Sequence, residues 1–172
     1  MVDKLCPYLG SYDTVLDLGA SCGRLAHDLA KRFDIKFTGV DTCPQKIKYI
    51  PIKKYDGIRL PFRDNSFDCV MIIDVLHHDE NPERIIMEAM RVSRSEILIK
   101  DHFWNNRLDF YLLKFEDYIG NKPYGIYLPY NFLTMKMWLD IFSKNKLKII
   151  SSSKFRYALL DPGKHVIFQL EK

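Results

Sequence analysis

The sequence has no apolar run approaching the roughly 20 residues that a membrane-spanning helix needs, so no membrane partner is expected. It also lacks a Cys-x-x-Cys pair. Cys6, Cys22, Cys43 and Cys69 are scattered, and none stands at metal-ligand spacing from a histidine, so no metal is expected. Free thiols without a disulfide framework point to a reducing, cytoplasmic setting. No basic segment followed by an apolar core opens the chain, so no secretory leader is read. Repeats and low-complexity linkers are missing too. Charge of one sign is scarce: 26 Lys and Arg against 22 Asp and Glu leave +4, which neither demands nor excludes a nucleic-acid partner. The stretches Lys46, Lys48, Lys53, Lys54 and Lys144, Lys146, Lys148, Lys154 read as solvated faces.

What is present is one domain's length, 172 residues, with a periodicity that switches repeatedly between strand and helix. Thr14–Leu18 reads as a short buried strand. Leu25, Leu29 and Phe33 then recur at helical spacing. Ile35–Asp41 is a second strand, Pro51–Tyr55 a weaker third, and Phe67–Asp74 a nearly continuous apolar strand covered on both faces. Asn81 and Pro82 open a helix through Val92. Glu96–Lys100 is the fifth strand. A helix carrying Leu108, Leu112, Phe115 and Ile119 closes at Gly120-Asn121, which makes that stripe, Phe115 included, a core face. Thr134 caps a helix through Trp138 and Phe142. Leu147–Ser152 and His165–Leu170 are closing strands, joined by a turn at Asp161-Pro162-Gly163. The expected architecture is α/β: a Rossmann-like, seven-stranded, mostly parallel sheet with an antiparallel last strand and helices on both faces.

In such sheets ligands bind at the carboxyl ends of the strands. The loop after the first strand reads Asp17-Leu18-Gly19-Ala20-Ser21-Cys22-Gly23. Its glycines allow close backbone approach, and the start of the next helix favours a carboxylate. Asp17 suits an ammonium group. A ligand with both is an amino acid, such as the methionine half of S-adenosylmethionine, whereas a pyrophosphate has little use for Asp17. Asp41, ending the second strand, suits ribose hydroxyls. Asp56, before Gly57, suits an adenine amino group.

VLDLGASCGRL, GVD, DGIRLPFRDNSFDCVMIIDVLHH and the helix ending EAMRVSR resemble the small class I S-adenosylmethionine-dependent methyltransferases, type 11, over about residues 13–101. The resemblance implies cofactor contacts from Asp17, Gly19, Gly23, Asp41 and Asp56, with a lining role for Asp74. Their neighbours Ala20, Ser21, Thr42, Gly57, Ile58 and Val75 complete the expected cofactor set. The sequence departs from the family's Asp-x-Gly-x-Gly-x-Gly loop at Ser21, which is expected to fit with a negative φ.

Methyl transfer needs a base only when the nucleophile must lose a proton. His77 and His78, after the fourth strand, and Asp101-His102, after the fifth, are the candidates; each also has a structural reading as cap or packing group. No NPPY-like segment follows the fourth strand, which argues against amino methylation of adenine or glutamine. Residues 102–133 hold ten of the 23 aromatic residues and read as a lid over the acceptor, with Trp104, Tyr127, Tyr130 and Asn131 as substrate contacts. The whole of 1–172 is read as one methyltransferase domain acting on a small, partly apolar molecule. RNA or protein acceptors stay open, as does a non-catalytic partner subunit, although Asp17, Asp41 and Asp56 argue against the last. A nicotinamide dehydrogenase is disfavoured because Arg24 takes the last position of a GxGxxG pattern.

Overall fold

A computed structural model describes residues 1–10, 12–158 and 163–172, with Tyr124 described in its backbone alone. A short helix α1 (Val2–Leu5) precedes β1 (Thr14–Leu18), α2 (Arg24–Ala30), β2 (Lys36–Asp41), β3 (Ile52–Lys54) and β4 (Phe67–Ile73). Then come α3 (Pro82–Val92), β5 (Ser93–Trp104), α4 (Arg107–Asn121), β6 (Leu133–Thr134), α5 (Met135–Lys144), β7 (Lys148–Phe155) and β8 (His165–Glu171). The main sheet runs β3-β2-β1-β4-β5-β8-β7, and β6 adds two residues beside β5. All pairings from β3 to β5 are parallel, while β8 runs antiparallel to both neighbours. The expected α/β fold is therefore observed.

The nearly continuous apolar strands are explained by burial on both faces. Leu16, Leu18, Val70, Ile72, Ile97 and Ile99 face one core, which includes Ile86 and Ala89 of α3 and Trp138 and Phe142 of α5. The alternate residues Val15, Cys69, Met71 and Leu98 face a second core with Leu5 of α1 and Ala26 and Leu29 of α2. Caps fall where the side chains dictate. Asn81 accepts from the Arg84 N–H, Asn106 from Asp109, and Thr134 from Met137.

Two expectations need correction. β5 extends from Ser93 to Trp104, so Asp101 and His102 lie inside the strand rather than after it. Their polar side chains hid it, but β8 pairs residues 96–102 and β6 continues the ladder to Trp104, which supplies the hydrogen bonds that hold them extended. The stripe of α4 is not core: Leu108, Phe115 and Ile119 are 68%, 63% and 57% exposed. Asp109, Leu113 and Asp117 form its buried face instead. The helix itself closes at Asn121, as Gly120-Asn121 led one to expect. The left-handed stop comes at Gly125 (φ 72°), after a turn of 3₁₀ helix at 122–124. The expected turn at 161–163 lies largely outside the described residues.

Candidate functional site

The carboxyl ends of β1, β2, β4 and β5 carry the candidate residues. After β1 the loop alternates left-handed residues: Gly19, Ser21 and Gly23 have φ of 81°, 53° and 74°. Glycine at 19 and 23 is required twice over. A Cβ on Gly19 would stand 2.3 Å from the Val75 side chain, and one on Gly23 2.4 Å from that of Ile50. Ser21 corrects the expectation of a negative φ: it stands in the left-handed region, at the position where the family pattern has a glycine. Compensation comes from its bonds. Its N–H donates to Asp41 Oδ2 at 2.8 Å, its Oγ accepts from Gln45 Nε2 at 2.9 Å, and its carbonyl accepts from the Gln45 N–H.

Asp41 is the junction of two loops, since its Oδ1 also accepts from the Cys43 N–H at 2.7 Å. A carboxylate has about four acceptor sites, so lone pairs remain for a ligand. Asp17 is only 5% exposed and accepts no hydrogen bond from the described residues. Burial, aided by the nearby Asp41 charge, pushes its pKa up to about 7. A buried carboxyl lacking a donor fits an incoming cation such as an ammonium. Thr42 lies beside Gly57, where a Cβ would come within 3.3 Å of its methyl group. Asp56 is turned to its own loop, accepting from the Ile58 and Arg59 N–H groups at 2.8 and 2.9 Å. Those bonds hold its pKa below the ordinary carboxylate range. Ile58 is 59% exposed.

The second half of the site is built from β4, β5 and α4. Asp74 directly follows β4 with φ 55°, and its carboxylate is paired by Lys100 Nζ at 2.5 and 2.7 Å. Lys100 is 1% exposed, so this pairing is what permits a buried ammonium. Asp101, equally buried, accepts from the Leu76 N–H (3.0 Å), from His77 Nδ1 (2.6 Å) and from the His102 N–H (2.7 Å). Burial alone would raise its pKa; the facing His77 and His102 hold it well below the usual range. His77 is held above its ordinary value because the Asp101 carboxylate outweighs the opposing effect of burial. His78 is lowered by burial and by the adjoining His77.

Four of the five histidines converge here. His77 lies 4.0 Å from His78 and 5.0 Å from His102 between ring centroids, and His102 lies 4.6 Å from His165. A cavity of about 280 Å³ opens among Asp74, His77, His78, His102, Leu113, Glu116, Asp117, Asn121 and Phe132. A larger, shallower depression of about 650 Å³ beside Arg59–Asp64 holds none of the candidate residues.

The expected substrate contacts sit around this cavity rather than in its wall. Asn131 clasps the histidine turn: its N–H donates to the His77 carbonyl at 3.2 Å and its Nδ2 to that of Asp79 at 2.9 Å. Trp104 donates its indole N–H to the Phe132 carbonyl at 2.8 Å. Tyr127 is 65% exposed and donates to Glu80 at 2.7 Å, and Tyr130 (φ 56°) carries Lys114 over its ring. Sequence reasoning missed Lys100, Asp117 and Phe132. The signal for Lys100 was a lysine closing an apolar strand. Asp117 was legible only once α4 was known to bury its polar face.

Comparison with known proteins bears on the family match and the fold. A family model described as Methyltransferase domain matches residues 16–97. Norajmaline N-methyltransferase of Rauvolfia serpentina is 25% identical over 113 residues, 54% of this chain and 39% of that enzyme; the chain thus matches well under half of this relative's length. Among solved structures, a SAM-dependent methyltransferase of Methanosarcina mazei superposes with a TM-score of 0.72 at 19% identity, covering 98% of this chain and 96% of that one. The 1,6-didemethyltoxoflavin-N1-methyltransferase of Burkholderia thailandensis, with bound 1,6-didemethyltoxoflavin and S-adenosylhomocysteine, superposes with a TM-score of 0.74 at 14% identity over 99% of this chain and 76% of that one. Residues 16–97 thus match the methyltransferase-domain family, and the chain shares the fold of the S-adenosylmethionine-dependent methyltransferases on which it superposes.

Proposed function

We propose that this chain transfers a methyl group from S-adenosylmethionine to a small molecule bearing an amine or hydroxyl. The observation that carries the reading is the adjacency of two half-sites. A left-handed glycine loop beside Asp17 and Asp41 stands next to a histidine-lined cavity at the ends of β4 and β5. When bound, S-adenosylmethionine supplies an already activated methyl group, so the protein's work is placement, exclusion of water and removal of a proton. Asp17 would meet the ammonium and Asp41 the ribose hydroxyls. Gly19, Ala20, Ser21 and Gly23 would let the backbone approach, while Thr42, Asp56, Gly57, Ile58, Asp74 and Val75 would line the remainder.

In the cavity, Asp101 positions His77 and the backbone of His102, leaving the His102 imidazole as the base for an acceptor proton. Leu113 and Phe132 offer an apolar wall in an otherwise polar lining, so the acceptor is a polar molecule with a modest apolar part. The resemblance to small-molecule methyltransferases of plant and bacterial origin supports this class. Residues 102–133 form its roof within a single domain, 1–172.

The test is calorimetry with S-adenosylmethionine, S-adenosylhomocysteine and NAD, followed by a labelled-methyl screen of amines, alcohols, RNA and protein. The two S-adenosyl compounds should bind and NAD should not. Asp41→Ala should weaken binding by roughly 1–3 kcal/mol, the cost of leaving hydroxyl donors without their charged acceptor. Unchanged affinity in the folded variant would displace the ribose site, and label appearing only in RNA or protein would overturn the small-molecule reading.

A further inference from the structure

We propose that His77, His78 and Asp117 form a binding site for a divalent transition-metal ion, with zinc the first choice. Two neighbouring histidines in one 3₁₀ turn and a carboxylate from the buried face of α4 aim at a common point. His77 Nε2 and His78 Nε2 each lie 4.0 Å from Asp117 Oδ1, and the three ligand atoms fall within 4.8 Å of one another. The ligand–ligand edge of a tetrahedral zinc site with bonds of about 2.1 Å is about 3.4 Å. Closing the triad therefore asks each His–Asp117 edge to shorten by about 0.6 Å and the His77–His78 edge by at most about 1.4 Å.

Three further features go beyond mere proximity. His77 is already oriented as metal-binding histidines are: its Nδ1 faces Asp101 at 2.6 Å, which leaves Nε2 toward Asp117. Asp101 is in turn fixed by the Leu76 and His102 N–H groups, so the supporting shell is complete. Asp117 Oδ1 accepts from Asn121 Nδ2 at 2.6 Å and keeps lone pairs for a metal, while Asp117 Oδ2, buried and without a hydrogen-bond partner among the described residues, leaves the carboxylate only partly satisfied. The charge also balances. Asp101 and Asp117 are both below 9% exposed and flank His77, and the salt bridges among the described residues join them to histidines alone, whereas Asp74 is already neutralised by Lys100.

Two histidines and one carboxylate suit zinc and its neighbours rather than magnesium or calcium, and three protein ligands leave a coordination position open toward the cavity. That position would hold the heteroatom of an acceptor. This use rests on the methyl transfer proposed above; the binding itself does not.

The experiment is zinc titration of EDTA-dialysed protein by calorimetry, with cobalt substitution read by its visible absorption, on wild type and single variants. One zinc per chain is expected. His78→Ala and Asp117→Asn should each lower affinity at least tenfold, and the supporting Asp101→Asn by 10–100-fold. Asp117→Asn keeps the shape of the side chain, and His27→Ala, outside the cluster, should bind as wild type. Absence of zinc binding in folded wild type, or equal affinity in the His78 and Asp117 variants, overturns the site. Binding of S-adenosylmethionine is measured on the same samples. Its failure beside intact zinc binding would sink the methyltransferase reading and leave the metal site standing.

Discussion

Asp17 shows how a single carboxyl can couple ligand binding to protons. Its pKa in the fold, about 7, lies above the ordinary 3.8, so the folded state holds the proton more tightly than the unfolded chain. The stability this contributes is fully present below about pH 4 and is lost as pH rises through 7. The difference corresponds to up to roughly 4 kcal/mol. Asp17→Asn should therefore be more stable than the wild type at pH 8, with the gap narrowing toward pH 5, as denaturant melts at the two pH values will check. An ammonium ligand should expel the proton, so calorimetry at pH 7 in buffers of different ionisation enthalpy should register proton release in wild type and none in the variant. Ser21 offers a second test. Its left-handed φ costs about 1–2 kcal/mol in an ordinary L-residue, part of which glycine's greater freedom when unfolded offsets. Ser21→Gly should gain roughly 0.5–1 kcal/mol by denaturant melt, provided the Gln45 bond contributes little; a loss would mean that the hydroxyl contact governs the loop. At this scale the loop residues and the histidines were legible from residue type and position. The sign of φ at Ser21 was not, because nothing local in Ala-Ser-Cys distinguishes a left-handed serine from a right-handed one.

Among the elements, the sequence was most readable where periodicity and caps agreed. The first four strands and the helix opened by Asn81-Pro82 lie within a residue or two of their expected places, since continuous apolar runs and side-chain caps are local signals. The reading failed at β5 and α4. β5 holds Asp101 and His102 extended through partners more than 60 residues away, and no local pattern announces them. On α4 the apolar stripe faces outward while Asp109 and Asp117 are buried, inverting the usual rule. Asp109 is buried because Lys164 Nζ and the Asn105 N–H reach it, a pairing invisible in the sequence. The loop 122–132 yields a paired prediction. Tyr127→Ala removes an exposed side chain and should change stability by less than about 0.5 kcal/mol, whereas Asn131→Ala unclasps the histidine turn and should cost about 1 kcal/mol. If the loop roofs the acceptor, Tyr127→Ala slows methyl transfer while S-adenosylmethionine affinity stays within about threefold. Normal melting with full turnover would remove Tyr127 from the roof.

For the molecule as a whole, the strand order explains why the fold class was readable while the cavity was not. In the parallel half, β3-β2-β1-β4-β5, sequence neighbours pair everywhere except at the β1–β4 step, and the helices α2 and α3 leave their own signatures. The cavity draws on β4, β5, the turn after β4 and the buried side of α4, and becomes visible only when these are brought together. The inserted strand β8 has a consequence of its own. It is the last of the described strands in chain order, yet it lies between β5 and β7, with Val166 facing Asp101 and His165 facing His102. During vectorial synthesis the segment bearing Lys100, Asp101 and His102 therefore emerges with one edge bare, and it waits there until His165–Glu171 has left the ribosome and slotted in. The glycine loop can close early, whereas the strand that carries Lys100, Asp101 and His102 gains its second neighbour only when β8 docks.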